Sequence, residues 1–137
     1  MVEIRIARSG EEDQILEAYE WLFSPPGTRP SGWERGRARD ALARTIADGD
    51  AAVLVAQDRE RGLVGVCTVY LGPESMRFGL RCWVEDLAVH PQCRSRGIGA
   101  RLLAAAREWG GGRGATHLKL DSAEARKDAH RFYEREG

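Results

Sequence analysis

The chain has 137 residues, enough for one domain that buries about two-thirds of its unfolded surface, and its 21 basic and 21 acidic side chains cancel to zero net charge. Without a global positive field, neither nucleic acid nor an anionic membrane surface is an expected partner. The three cysteines, Cys67, Cys82 and Cys93, form no C-x-x-C pair, which argues against a zinc site or disulfide framework and for a reducing, cytoplasmic setting.

Residues 1–10 carry charges, and no stretch approaches the length of a membrane span. Val2 to Ala7 alternates as a strand does. Ser9 with Glu12 predicts a capping box, after which Ile15, Leu16, Tyr19, Leu22 and Phe23 form a helical stripe that Pro25, Pro26 and Gly27 end. Ser24 to Gly32 is a loop by composition. Ser31 with Glu34 predicts a second capping box, and Ala38, Ala41, Leu42, Thr45 and Ile46 carry a second helix to a stop near Gly49. Trp21 and Trp33 are either packing residues or the walls of a pocket.

Ala51 to Gln57 and Leu63 to Leu71 read as a hairpin turning through Asp58 to Gly62. After the turn Gly72-Pro73-Glu74, Phe78 to Val89 is predicted as one long strand. Strict alternation puts Val84, Asp86 and Ala88 on one face and Glu85, Leu87 and Val89 on the other. Cys67 and Cys82 belong to the core and Cys93 to an exposed turn.

The turn runs through Gln92, Cys93, Arg94, Ser95, Arg96, Gly97, Ile98 and Gly99 into a helix marked by Ile98, Leu102, Ala105, Ala106 and Trp109. Its glycines let a ligand approach the backbone, and the helix start offers unpaired N–H groups at the positive end of its dipole. A phosphate fits such a place, and Arg94, Arg96 and Arg101 add charge. It is not a dinucleotide fingerprint, because Leu102 stands where the third glycine belongs, nor a triphosphate loop, because no Gly-Lys pair occurs. Gly110, Gly111, Gly112 and Gly114 end the helix, and Thr116 to Leu120 is a strand parallel to its neighbour. Asp121 or Ser122 starts a last helix with Ala125, Ala129, Phe132 and Tyr133 on one face. His90, His117 and His130 are scattered, and no metal is expected.

Arg94-x-x-Gly97-x-Gly99, after Val84-Glu85-Asp86-Leu87-Ala88-Val89-x-Pro91 and before Leu102-Leu103, resembles the acetyl-coenzyme A motif of the GNAT superfamily of N-acetyltransferases. Ala129-x-x-Phe132-Tyr133-x-x-x-Gly137 resembles the last helix of that family. The resemblance implies an α/β (α+β) fold in one domain: a mixed, mostly antiparallel central sheet flanked by helices, here without the family's last two strands. The unfinished sheet edge implies a homodimer.

The resemblance also implies roles. Arg94, Ser95, Arg96, Gly97, Ile98, Gly99, Ala100 and Arg101 hold the pyrophosphate, while Leu87, Ala88 and Val89 run beside the pantetheine arm, with the Leu87 N–H at the thioester carbonyl. Tyr133 is the general acid. Arg126 stands where many relatives carry asparagine and reaches a phosphate. The base is Glu85, which shares a face with Leu87 and Val89, or Asp86, whose other role is a structural hydrogen bond. The implied reaction takes acetyl from acetyl-coenzyme A, a co-substrate, to a primary amine of a small molecule or protein; the alternative is a catalytically silent coenzyme A-binding module.

Overall fold

The computed structural model describes residues 1–25 and 27–120. Its apolar, β-branched runs pair into one sheet in the order β1 (Val2–Ile6), β2 (Ala51–Asp58), β3 (Gly62–Leu71), β4 (Arg81–Val89) and β5 (His117–Leu120). Strands β1 to β4 are antiparallel neighbours. Strand β5 is parallel to β4, because helix α3 (Ile98–Gly111) returns the chain between them. Among the described residues no helix is long and apolar enough to cross a membrane.

Each face of the sheet has its own core. On one, Ile98, Leu102, Leu103 and Ala106 of α3 pack on Leu54, Val69, Cys82, Val84 and Leu87. On the other, α1 (Glu12–Phe23) and α2 (Arg35–Ala47) set Ile15, Leu16 and Leu42 against Val53, Val55, Val66 and Ala88. Helix α3 sits close to the sheet at both ends. A Cβ on Gly65 would lie 3.0 Å from Leu102 Cδ1 and 3.2 Å from Ile98 Cγ2, and one on Gly110 would lie 2.8 Å from Cys82 Cβ.

The structure corrects several expectations. Neither Ser9 nor Ser31 caps a helix. Glu11 is the N-cap residue of α1 without a capping bond, and Glu34 caps α2 by accepting from the Gly36 and Arg37 N–H groups at 2.9 and 3.0 Å. Strand β4 begins at Arg81 instead of Phe78. Upstream, Ser75 and Gly79 exchange two backbone bonds, and Ser75 Oγ accepts from the Arg77 and Phe78 N–H groups, folding that segment into a tight turn. Cys93 is not exposed but 1% accessible, one residue of the core under α3.

The alternation along β4 also fails. Thr68 pairs with Asp86 but Val69 pairs with Val84, so Glu85 is the extra residue of a β-bulge. Val84 therefore shares the α3 face with Leu87, whereas Ala88 packs on the α1–α2 face.

Near the start of α1, the Arg5 guanidinium grips Glu11 through two bonds of 2.9 and 2.6 Å. These bonds, opposed by burial and helped by the Arg8 N–H, lower the Glu11 pKa from 4.5 to about 2. A depressed carboxylate pKa contributes stability above its unfolded value, and that contribution is lost as pH falls through the folded value. The stabilisation is therefore complete above about pH 5 and disappears toward pH 2. Thermal unfolding followed from pH 7 to pH 2 should show Glu11→Gln less stable at neutral pH and converging on the wild type in acid. Parallel curves would remove the pair from the acid response.

Candidate active site

The site is built on the C-terminal half of β4, past its described pairing with β5. The β4–β5 pairing stops at Val84 and Leu120, whereas the β3–β4 pairing continues to Gly65 and Val89. The Asp86 N–H donates to Thr68 Oγ1 at 3.1 Å and the His90 N–H to the Val64 carbonyl at 2.8 Å, so both point toward β3. Alternation then sends the Leu87 and Val89 N–H groups to the opposite edge, where no described strand pairs with them.

Strand β4 feeds a 3-10 turn, Pro91–Cys93, in which His90 Nδ1 accepts from the Gln92 N–H at 3.1 Å. The chain then bends through Ser95 at φ +68° and Gly97 at φ +78°, the N-cap residue of α3. A Cβ on Gly97 would meet nothing within 4 Å, so the left-handed backbone and not lack of room demands glycine. No side chain caps α3, and its first bond to the loop is from the Arg101 N–H to the Gly97 carbonyl at 3.0 Å. The N–H groups of Gly97, Ile98, Gly99 and Ala100 consequently donate to nothing among the described residues. With the helix dipole behind them, they form an anion cradle.

The arginines divide. Arg94 Nε donates to the Val89 carbonyl at 3.4 Å and Arg101 to the Val2 carbonyl at 2.9 Å, whereas Arg96 is exposed and without a partner among the described residues. The side chains of Ala88 and Ile98 are buried at 3% accessibility, so either residue can meet a ligand only through its backbone.

The bulge gathers the carboxylates on the α1–α2 face. Tyr19 of α1 donates its hydroxyl to Asp86 Oδ2 at 2.7 Å, and Thr68 Oγ1 lies 3.4 Å from the same oxygen. Exposed Glu85 accepts from Trp83 Nε1 at 2.5 Å. Burial raises the Asp86 pKa; the Tyr19 bond opposes that rise and the Glu85 charge adds to it. Tyr19 is itself raised well above 10, first by burial and then by the Asp86 charge, so it stays protonated and donates. Tyr19 stacks on Trp33 at 6.0 Å, Phe23 meets Trp33 edge-on at 4.8 Å, and Trp21 packs edge-on against His90 at 5.1 Å. Among the described residues no group of three or more His, Cys, Asp or Glu is placed to hold a metal ion.

Among the described residues, one edge of β4 is thus unpaired beyond Val84, and the amides of the glycine turn that follows have no partner. The family model for the acetyltransferase (GNAT) family matches residues 13–137. The chain belongs to the GNAT family. It is 42% identical over 59 residues to an uncharacterised N-acetyltransferase of Bacillus subtilis, covering 43% of this chain and 42% of that protein. It is 35% identical over 104 residues to the aminoalkylphosphonate N-acetyltransferase of Salmonella typhimurium, covering 72% of this chain and 64% of that protein. The chain thus spans less than two-thirds of the length of either curated relative. A predicted acetyltransferase from Clostridium acetobutylicum, solved with acetyl-CoA, superposes with a TM-score of 0.80 at 14% identity over 100% of this chain and 89% of that one. The α+β GNAT fold, with a five-stranded mixed sheet among the described residues, is therefore shown.

Of the residues singled out from the sequence, this GNAT chain brings the loop, the Leu87 to Val89 edge and the two carboxylates into one strand–loop–helix unit. Tyr133 and Arg126 lie outside the described residues. Sequence reasoning missed Tyr19, Thr68 and Trp83 as partners of the carboxylates. Tyr19 sits in the stripe of α1, where period alone marks it as packing. Placing valine at a left-handed position such as Gly97 costs about 1–2 kcal/mol. In calorimetry, Gly97→Val is accordingly expected to bind coenzyme A roughly tenfold more weakly. An unchanged affinity would show that these amides do not hold the ligand.

Proposed function

We propose that this GNAT chain catalyses transfer of an acetyl group from acetyl-coenzyme A to a primary amine of a small molecule or a protein. The observation that carries the reading is the continuity of two sets of donors with no partner among the described residues. Four amides at the start of α3 and the Leu87 and Val89 N–H groups lie on one uninterrupted segment. When bound, the cofactor supplies a thioester as acyl donor.

The amides of Gly97, Ile98, Gly99 and Ala100 suit a diphosphate, with Ser95, Arg94, Arg96 and Arg101 around them. Arg96 is the one of those arginines with no partner among the described residues, and so contributes charge at least cost. The Leu87 N–H is assigned to the oxygen on which negative charge develops, and the Val89 N–H, with the Ala88 backbone beside it, to the pantetheine amides. One carboxylate of the Glu85 and Asp86 pair takes the amine proton. Tyr133 as general acid and Arg126 as a phosphate contact rest on the sequence motif. The relative named for aminoalkylphosphonates brings small amines with an anionic end among the candidate acceptors. Self-association along the β5 edge belongs to the same proposal, and sedimentation tests it.

The test is thiol release from acetyl-coenzyme A with aminomethylphosphonate, spermidine, an aminoglycoside and a lysine peptide as acceptors. Turnover with at least one is expected. Tyr133→Phe should lower kcat by about 10²-fold or more, with coenzyme A affinity little changed. A normal rate in that variant would remove Tyr133 from the chemistry. Coenzyme A binding with no turnover on any acceptor would overturn acetyl transfer in favour of a silent binding module.

A further inference from the structure

We propose that Tyr19 is a positioning residue that makes Asp86, and not Glu85, the proton acceptor, by holding one oxygen of its carboxylate and leaving the other to the substrate. The inference rests on the acetyl-transfer reading above, since it assigns the base for that reaction. The two carboxylates are neighbours in sequence and share a face, yet their surroundings differ. Asp86 Oδ2 accepts from the Tyr19 hydroxyl at 2.7 Å and lies 3.4 Å from Thr68 Oγ1, while the Asp86 N–H donates to Thr68 Oγ1 at 3.1 Å. Thr68 is 2% accessible, and Tyr19 is fixed by its stack on Trp33, so both partners are rigid. The carboxylate is oriented through one oxygen, and no described residue claims Oδ1.

Glu85 stands on the bulge itself, exposed, and among the described residues only Trp83 Nε1 donates to its carboxylate. A base that must deprotonate an ammonium group works better closer to neutrality, and has to be held in one orientation toward it. Among the described residues the groups facing Asp86 are Tyr19 from α1, Thr68 from β3 and Glu85 from β4, with Tyr70 of β3 beside Tyr19 and Cys67 on the far face of β3. None of these is cationic, and burial with the Glu85 charge pushes the Asp86 pKa upward. In the proton transfer an N–H bond of the substrate ammonium breaks and an O–H bond forms at Asp86 Oδ1. The electron pair stays on nitrogen, which is then the nucleophile.

The experiment is the pH dependence of kcat/KM, read by thiol release with the best acceptor of the panel, for wild type, Tyr19→Phe, Asp86→Asn and Glu85→Gln. Tyr19→Phe keeps the ring but deletes a bond that favours the charged Asp86, so the acidic limb should move to higher pH and the deficit shrink as pH rises. Glu85→Gln removes a like charge, so the limb should persist and move to lower pH. Asp86→Asn should abolish the limb and lower kcat by about 10²-fold or more. Coenzyme A calorimetry and thermal midpoints separate these effects from misfolding, because a merely structural Tyr19 would lower stability without moving the limb. The proposal is overturned if the limb survives in Asp86→Asn, vanishes in Glu85→Gln, or stays in place in Tyr19→Phe. A wild type that binds coenzyme A yet turns over none of the amines overturns the acetyl-transfer reading, and this assignment with it.

Discussion

Beyond Val84, β4 is paired among the described residues on one edge only, and the candidate site follows from that. Backbone donors inside a sheet are normally consumed by the neighbouring strand, and leaving them unpaired in a partly buried place is unfavourable. The described part of β5 covers Arg81 to Val84, so the next outward N–H groups, those of Leu87 and Val89, find no strand among the described residues. An extended ligand with its own amide groups can take the place of that strand, as peptides do at open sheet edges. The same chain runs on within a few residues to a helix start with free amides, so one ligand lying along the segment meets both sets.

The bulge at Glu85 serves a different end. A regular strand would send adjacent side chains to opposite faces; the extra residue lets Glu85 and Asp86 share one. Two carboxylates so placed repel each other, which is one reason the Asp86 pKa rises. Strand β3 carries a comparable irregularity, because Ala56 pairs with Gly65 and Gln57 with Leu63, leaving Val64 as the extra residue. There the consequence is packing: Val64 belongs to the core under α3, and Gly65 faces the same helix. One bulge gathers chemistry on the α1–α2 side, and the other makes room on the α3 side.

What the sequence made legible follows the range of the interaction that decides it. Strand and helix periods are local, and the described elements carrying them appear close to where period placed them, β5 parallel to β4 included, while the expected last helix from Asp121 or Ser122 lies outside the described residues. The caps were misread because the deciding contacts are tertiary: Glu11 is drawn to Arg5 across six residues, and its neighbour Glu12 accepts from the Gly10 N–H. The faces of β4 were misread because a period-two rule has no means of announcing an inserted residue. The Tyr19 to Asp86 bond spans 67 residues and joins elements that only the folded sheet brings together. Arg94 and Arg101 look like phosphate ligands in the motif, yet in the fold each already serves a backbone carbonyl.

The two donor sets must keep a fixed separation if one ligand is to use both, and Gly65 is what fixes it. Its backbone pairs with Val89 in the sheet, while the absence of a side chain lets Ile98 and Leu102 rest directly on it. The strand end that presents the Val89 N–H and the helix turn that presents the Ile98 amide are therefore registered on the same residue. Packed interiors yield little, and Ile98 and Leu102 are almost wholly buried, so neither has free volume into which to retreat. A Cβ at position 65 would press on the Leu102 and Ile98 methyl groups at 3.0 and 3.2 Å, so these side chains of the first turns of α3 would have to give by a few tenths of an ångström. The placement of the loop thus depends on the core, through a glycine outside the motif as well as those within.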